Sequence, residues 1–302
     1  MTEQPSIGKP PRHAPFGRGR AWAVAFFGLT GCNPAGLLTQ LDRVTSPADV
    51  RRLANGVSYG STARQKLDVW VPARPAGEAL PVVIFFYGGG WNAGSKDDYG
   101  FAGAAFASRQ FITVVPDYRL VPNVAFPTFV EDGARAVRWT RDNIYKYGGD
   151  PKRITLAGHS AGAYNAAMLA LDSRFLKRAG VDAKTVRAAA LLSGPYDFYP
   201  FTDARSRAAF GSYTSPRDTQ PINFVRRGVP PIFLAHGSKD RVVLPRNSLH
   251  LAERLKQVGA PVTVRIYPGA GHVDTALALA GPFRRRLPVL DETAIFLKAH
   301  SR

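Results

Sequence analysis

Residues 153 to 171 read RITLAGHSAGAYNAAMLAL, and this stretch restricts the fold more than any other part of the sequence. Ile154, Thr155, Leu156 and Ala157 form a short apolar, partly β-branched run, and the alanine-rich stretch from Ala161 to Leu171 favours helix. Between them stands GHSAG, so the backbone must pass from strand to helix through one sharp turn. Gly158 and Gly162 remove the side chains that would collide where strand and helix nearly touch. Ser160 is forced into a strained conformation, and its hydroxyl stands clear of any sheet the strand joins. A glycine-punctuated turn would produce the same spacing, so the serine gains meaning only from partners elsewhere in the sequence.

Similar strand-like runs recur along the sequence: KLDVWV, PVVIFF, FITVVP, RITLAG, RAAALLSG, PIFLAHG and PVTVRIY. Stretches of helical length separate them, among them Phe129 to Tyr147 and Leu249 to Val258. In the latter, Leu249, Ala252, Leu255 and Val258 keep one face apolar. Strands alternating with helices predict an α/β fold with a mostly parallel central sheet covered by helices on both faces. Ligands of such sheets bind beyond the carboxyl ends of the strands. A protein of 302 residues with 45% hydrophobic content is long enough for one such domain and a short extension. The segment from about Tyr196 to Arg227 breaks the rhythm, being rich in Pro, Asp, Arg and aromatics, and reads as a small lid insertion.

Lys and Arg outnumber Asp and Glu 40 to 22, a formal charge of +18, which attracts nucleic acid, anionic lipid or acidic surfaces. The charge is scattered, however. Its dense clusters are Arg284 to Arg286 and the pairs Arg51/Arg52 and Arg226/Arg227, and no nucleic-acid module surrounds them. A solvated basic surface and no nucleic-acid partner are expected, with an anionic membrane as the main functional alternative.

The single cysteine, Cys32, excludes an intrachain disulfide. Lys9, Arg12, Arg18 and Arg20 precede an uncharged apolar run from Ala21 to Gly31, the order of a secretory signal, and the run is too short for a spanning helix. The ending LTGC resembles the bacterial lipobox, where a peptidase cuts before the cysteine and lipid is attached to its sulfur. That resemblance implies a signal peptide over 1–31, lipidation at Cys32, and a mature protein anchored to a membrane in the bacterial cell envelope. A tether with one short helix would follow over 32–60, and the catalytic domain would run over 61–302, with its lid at about 196–227.

A serine hydroxyl needs a base to take its proton and a carboxylate to orient that base. After PIFLAHG comes Asp240 in SKDRVV, and after PVTVRIYPG comes His272 in AGHVD, each just past a strand end. The glycines Gly88 to Gly90 in FFYGGGW follow another strand and let backbone N–H groups approach the site. The amides of Gly89, Gly90 and Ala161 are candidate oxyanion donors. Asp197, in SGPYDFY, is a rival acid, set below Asp240 because the latter sits at the strand end. Asp274 reads as a helix cap. His159 reads as a packing residue turned away from the nucleophile's partner, His236 as the end of its strand, and His250 and His300 as surface helix residues. No His, Asp or Cys cluster has metal-ligand spacing, and no dinucleotide or phosphate loop is present, so no metal and no cofactor are expected.

Taken in order, YGGGW, DYRL, GHSAG, GSKD and GH resemble the carboxylesterase branch of the α/β hydrolase superfamily, near the hormone-sensitive-lipase-like and feruloyl-esterase-like enzymes. The resemblance covers about residues 61 to 302. It implies the α/β-hydrolase fold, a triad of Ser160, Asp240 and His272, an oxyanion hole from the glycine loop and Ala161, and a scaffold role for Asp117, Tyr118 and Arg119. It departs from the branch at Tyr87, where a histidine usually braces the glycine loop, and in the acid motif GSKDRVV, which looks like the broader carboxylesterase and prolyl-oligopeptidase-like pattern. The expected activity is hydrolysis of a small-molecule carboxylic ester through an acyl-enzyme on Ser160. Amidase or arylformamidase chemistry on the same triad, and a noncatalytic envelope protein that kept the fold as a binding module, remain open. No oligomeric state is implied.

Overall fold

A computed structural model describes residues 49–76 and 79–302, together with Gly36, Thr39 and Gln40. The signal, the lipobox and Cys32 lie outside the described residues.

All the strand-like runs named above are strands of a single sheet. They are β2 (Lys66–Pro72), β3 (Leu80–Phe86), β4 (Ile112–Pro116), β5 (Gly149–His159), β6 (Val186–Leu192), β7 (Ile232–Gly237) and β8 (Val262–Tyr267). An additional strand, β1 (Val50–Ser58), precedes them, and the order across the sheet is β1-β2-β4-β3-β5-β6-β7-β8. Pairing is antiparallel for β1 with β2 and for β2 with β4, and parallel from β4 to β8. Residues 50–58 are therefore not tether, and the sheet begins at Val50. The strand lacks an apolar signature because it is an edge: Arg51, Leu53 and Asn55 face solvent. The intervening Arg52 reaches back to Asp68 at 3.1 Å instead of being apolar.

The central strands lose the period-two pattern because helices cover both of their faces. Every residue of β3 is buried, including Phe85 and Phe86. Each such ring contributes about 1.5–3 kcal/mol on transfer from water. The helices are α1 (Gly100–Ala107), α2 (Thr128–Asn143), α3 (Ala161–Leu171), α4 (Ser173–Arg178), α5 (Ala204–Phe210), α6 (Arg246–Gln257), α7 (Asp274–Leu277) and α8 (Val289–His300). The segment read as a lid lies between β6 and β7 and contains α5 and short turns at Pro216–Thr219 and Pro221–Phe224. No helix among the described residues is long and apolar enough to cross a membrane.

Because β3, β5, β7 and β8 run parallel, their carboxyl ends lie at one edge of the sheet. Those ends carry the glycine loop, Ser160, Asp240 and His272 respectively.

Candidate active site

Ser160 stands between β5 and α3 with φ of 55°, a left-handed conformation that a serine adopts only when its surroundings hold it there. Two contacts do so. The Ser160 N–H donates to Leu192 C=O at 2.9 Å, tying the turn to β6. The glycines on either side permit an approach no side chain would allow: a methyl on Gly158 would lie 2.4 Å from Gly162 O, and one on Gly162 would lie 2.1 Å from Phe86 O. The elbow inferred from GHSAG is thus a steric necessity of this packing.

His272 follows β8 and brings its Nε2 to 2.9 Å from Ser160 Oγ. Its Nδ1 lies 2.8 Å from Asp240 Oδ2. An ionised carboxylate only accepts, so Nδ1 carries the proton, and the Nε2 lone pair is left facing the serine hydroxyl. Asp240 is buried, and its other oxygen accepts from the N–H groups of Val242 and Val243, both at 2.9 Å. Burial alone would raise its pKa. The hydrogen bonds from His236 and His272, and those from the loop amides, outweigh that and hold the carboxyl well below the usual carboxylate range.

The structure brings Ser160, Asp240 and His272 together and leaves the rivals apart. Asp197 pairs with His250 at 2.9 Å on the surface. Asp274 does not cap α7 as expected: Val273 holds the cap position, Asp274 is the first helical residue, and its carboxylate instead accepts from Gly271 N–H at 2.6 Å and closes the loop that carries His272.

Two histidines gain roles their sequence positions did not suggest. His236 does end a strand, but its Nε2–H also donates to Val243 C=O at 2.8 Å and lies 3.2 Å from Asp240 Oδ2. Its Nδ1 accepts from Ser248 Oγ at 2.8 Å, so it buttresses the acid loop from behind. His159 corrects the expectation that it turns away. Its Nε2–H donates to the backbone carbonyl of His272 at 3.0 Å, and the two rings lie 5.0 Å apart. Burial, reinforced by the nearby His272 ring, pushes its pKa down to about 3, so the imidazole is neutral. Its Nδ1 finds no partner among the described residues and faces Gly88, where an added methyl would lie 2.9 Å away. A single buried ring therefore touches the loops on both sides of Ser160. No signal in the sequence separates it from an ordinary elbow neighbour.

Gly89 and Gly90 have φ of 133° and 60°, conformations that suit glycine, and the turn closes through Asn92 N–H and Ala93 N–H donating to Gly89 C=O. The N–H groups of Gly89, Gly90 and Ala161 have no acceptor among the described residues. Tyr87 does brace this loop. Its buried hydroxyl accepts from Arg64 Nη2 at 2.7 Å and donates to Asp117 Oδ1 at 3.0 Å, and its ring stacks on Tyr118 at 4.6 Å. Arg64 also donates to Gly94 C=O and Tyr118 C=O, and Arg119 pairs with Asp132 at 2.7 Å. The scaffold reading of Asp117, Tyr118 and Arg119 matches these contacts. Arg64 escapes sequence reading because it lies in a loop of no recognisable motif.

The side formed by the segment between β6 and β7 is aromatic. Trp91, which follows Gly90, meets Phe210 edge-on at 4.8 Å and Tyr164 at 5.3 Å, and stacks with Phe198 at 6.3 Å. A cavity lined by Ala270, Leu277, Phe283 and Leu287 lies behind the His272 loop and does not include Ser160. Among the described residues, no group of His, Cys, Asp and Glu is arranged to hold a metal ion.

Several known proteins resemble this chain in sequence or in fold. Esterase LipC of Mycobacterium tuberculosis is 32% identical over 239 residues, covering 72% of this chain and 58% of LipC. The isoprenylcysteine alpha-carbonyl methylesterase ICME of Arabidopsis thaliana is 30% identical over 255 residues, covering 78% and 59%. The chain thus spans somewhat less than two thirds of the length of these relatives. Among solved structures, a thermophilic esterase of Thermogutta terrifontis with butyrate bound superposes with a TM-score of 0.67 at 25% identity, covering 82% of this chain and 94% of that one. A carbohydrate esterase from gut microbiota shares the fold with a TM-score of 0.70 at 22% identity, over 85% and 98%. The sequence model of BD-FAE matches residues 67–255, a span that contains the glycine loop, Ser160 and Asp240, and the chain belongs to the BD-FAE family.

Proposed function

We propose that the protein is a serine carboxylic-ester hydrolase working through an acyl-enzyme on Ser160. The observation that carries this reading is the continuous relay from Ser160 Oγ to His272 Nε2 at 2.9 Å and from His272 Nδ1 to Asp240 at 2.8 Å. The names of its relatives, an esterase and a carbonyl methylesterase, support a carboxylic ester as the substrate.

As Ser160 Oγ forms its bond to the ester carbon, His272 Nε2 takes the hydroxyl proton and the carbonyl π electrons move onto oxygen. The unengaged N–H groups of Gly89, Gly90 and Ala161 are the proposed donors to that oxyanion, and losing one such donor costs roughly 100- to 1000-fold in turnover. Asp240 holds the imidazole in its reactive tautomer and stabilises the imidazolium. His272 then gives the proton to the leaving alkoxide oxygen as the C–O bond breaks. Water repeats the sequence on the acyl-enzyme: His272 takes its proton, the acid is released, and the proton returns to Ser160.

The test is hydrolysis of p-nitrophenyl acetate, butyrate and octanoate by the full-length protein beside Ser160→Ala, together with labelling by a serine-directed phosphonate. Turnover and labelling in the wild type that disappear in Ser160→Ala are expected. A folded wild type that neither turns over nor labels would move the protein to the noncatalytic binding role.

We further infer that this is a lipid-anchored protein of the bacterial envelope, small-molecule ester in solution or at the membrane being its partner. The support is the sequence alone: Lys9, Arg12, Arg18 and Arg20, the apolar run to Gly31, and LTGC. Cys32→Ser expressed in a bacterial host should lose the lipid mass and shift from the membrane fraction. Masses that differ only by the sulfur-for-oxygen exchange, with the same fractionation, would remove the anchor.

A further inference from the structure

We propose that Arg205, laid by α5 against the glycine loop, receives an anionic group of the substrate, so that the preferred substrates are esters carrying a carboxylate or similar anion close to the ester carbonyl. This rests on the ester-hydrolase reading above and narrows it to a substrate class.

Position is the first argument. A methyl placed on Gly90 would lie 3.0 Å from Arg205 Cδ and 3.7 Å from its Nε. The guanidinium therefore sits beside a loop whose Gly89 and Gly90 N–H groups are the proposed oxyanion donors. A guanidinium presents a planar fork that matches a carboxylate with two parallel N–H groups.

That placement is held by packing. Phe210, on the same short helix as Arg205, meets Trp91 at 4.8 Å, and Trp91 directly follows Gly90. Phe201, just before the helix, stacks on Phe210 at 5.6 Å, and Phe126 N–H donates to Ala209 C=O at 2.8 Å. Helix and glycine loop are thus fastened to each other, and Arg205 and Gly90 are neighbours as a consequence.

The guanidinium has no partner of its own. Arg205 is exposed, and no carboxylate or carbonyl among the described residues accepts from its side chain. The acid closest to it in sequence, Asp203, is occupied: one oxygen accepts from the N–H groups of Arg205 and Ser206, at 2.9 and 3.0 Å, and the other from Ser206 Oγ at 2.7 Å. Arginines elsewhere that serve the scaffold, such as Arg64, Arg119 and Arg174, are each matched to a carboxylate. Arg205 differs from them in lying against Gly90 of the glycine loop with no carboxylate matched to it. The excess of Lys and Arg over Asp and Glu, which persists beyond residues 1–31, adds a field that draws anions toward it.

The experiment compares monoethyl succinate with diethyl succinate, the same ethyl ester with and without an adjacent carboxylate, by ethanol release from the full-length protein at neutral pH. The readout is the ratio of kcat/KM for the anionic over the neutral ester. In Arg205→Gln this ratio should fall about tenfold or more, as for loss of a charge-assisted hydrogen bond. Arg205→Lys should retain part of the wild-type ratio, and the wild-type ratio should decline as salt is added. An unchanged ratio in Arg205→Gln overturns the proposal, even where both esters slow together, since equal loss would mark oxyanion contact or a structural role. If wild type and Ser160→Ala are equally inactive on both esters, it is the hydrolase reading that fails.

Discussion

The two sides of the Ser160 cleft are built on different physics. On one side, Asp240, His236, His272 and His159 form a directional network in which nearly every polar atom has an assigned partner between 2.8 and 3.2 Å. On the other, Trp91, Tyr164, Phe198, Phe201 and Phe210 meet through ring contacts of 4.8 to 6.3 Å. Hydrogen bonds lose value steeply with misalignment, whereas apolar contact tolerates small displacements. The network side should therefore fail abruptly when altered, and the aromatic side should change in shape, stability and selectivity.

The sharpest break is expected at the reacting atoms. Ser160→Ala or His272→Ala should reduce kcat by roughly 10⁴- to 10⁶-fold. Thermal unfolding of Ser160→Ala should stay near wild type, since its side chain does not fill the core, while His272→Ala should lose only the part of the stability that its bond to Asp240 supplies. Retained turnover in His272→Ala would end the assignment of the base.

Asp240→Asn comes next, with a kcat loss on the order of 10³- to 10⁴-fold through the wrong imidazole tautomer. The depressed pKa of Asp240 also contributes stability, which is fully present above the unfolded carboxylate value of about 4 and is lost as pH falls through the lower folded value. Urea melts should accordingly show the gap between wild type and Asp240→Asn narrowing below about pH 4. A gap that widens on acidification would contradict the network.

His159 sharpens the comparison, because it contributes by position and not by reaction. Removing its hydrogen bond to the His272 carbonyl in His159→Leu should lower kcat by roughly 10- to 100-fold with KM little changed. His159→Gln, which can still donate an N–H, should recover part of the loss. The folded pKa of about 3 lies below the unfolded value, so the unfolded state binds the extra proton. Stability from this residue is thus complete above about pH 6.5 and is lost progressively as pH falls toward the folded value. His159→Gln should flatten that acid slope, and an unaltered slope would show that the ring is not held neutral.

The smallest effect on turnover is expected across the cleft. Phe198→Leu should change kcat less than about tenfold while destabilising the fold by roughly 1 kcal/mol, with the acyl-length profile shifted toward longer p-nitrophenyl esters. A loss as large as that of Asp240→Asn would erase the distinction between the two sides.

Much of this arrangement is legible in the amino-acid sequence. The runs that form β3 to β7 announce themselves because buried parallel strands must be apolar along their whole length, and Ser160 and Asp240 each follow such a run; β8, which precedes His272, is a half-exposed edge betrayed instead by its β-branched residues. β1 does not, because an edge strand with arginines carries no such signature. Arg64, His236 and His159 are equally hidden as supporting groups, since each acts on a residue distant in sequence or through backbone atoms.

Sequence alone determined the elbow and the order of its partners, because strand period, glycine sterics and helix propensity act over a few residues. Tertiary structure alone decided which groups meet. His159 reaches the carbonyl of His272 across 113 positions because parallel strands bring their carboxyl ends to one edge, and Arg205 meets Gly90 because Phe210 and Trp91 pack together. Such contacts depend on strand order and on the fit of rings, which no local pattern encodes.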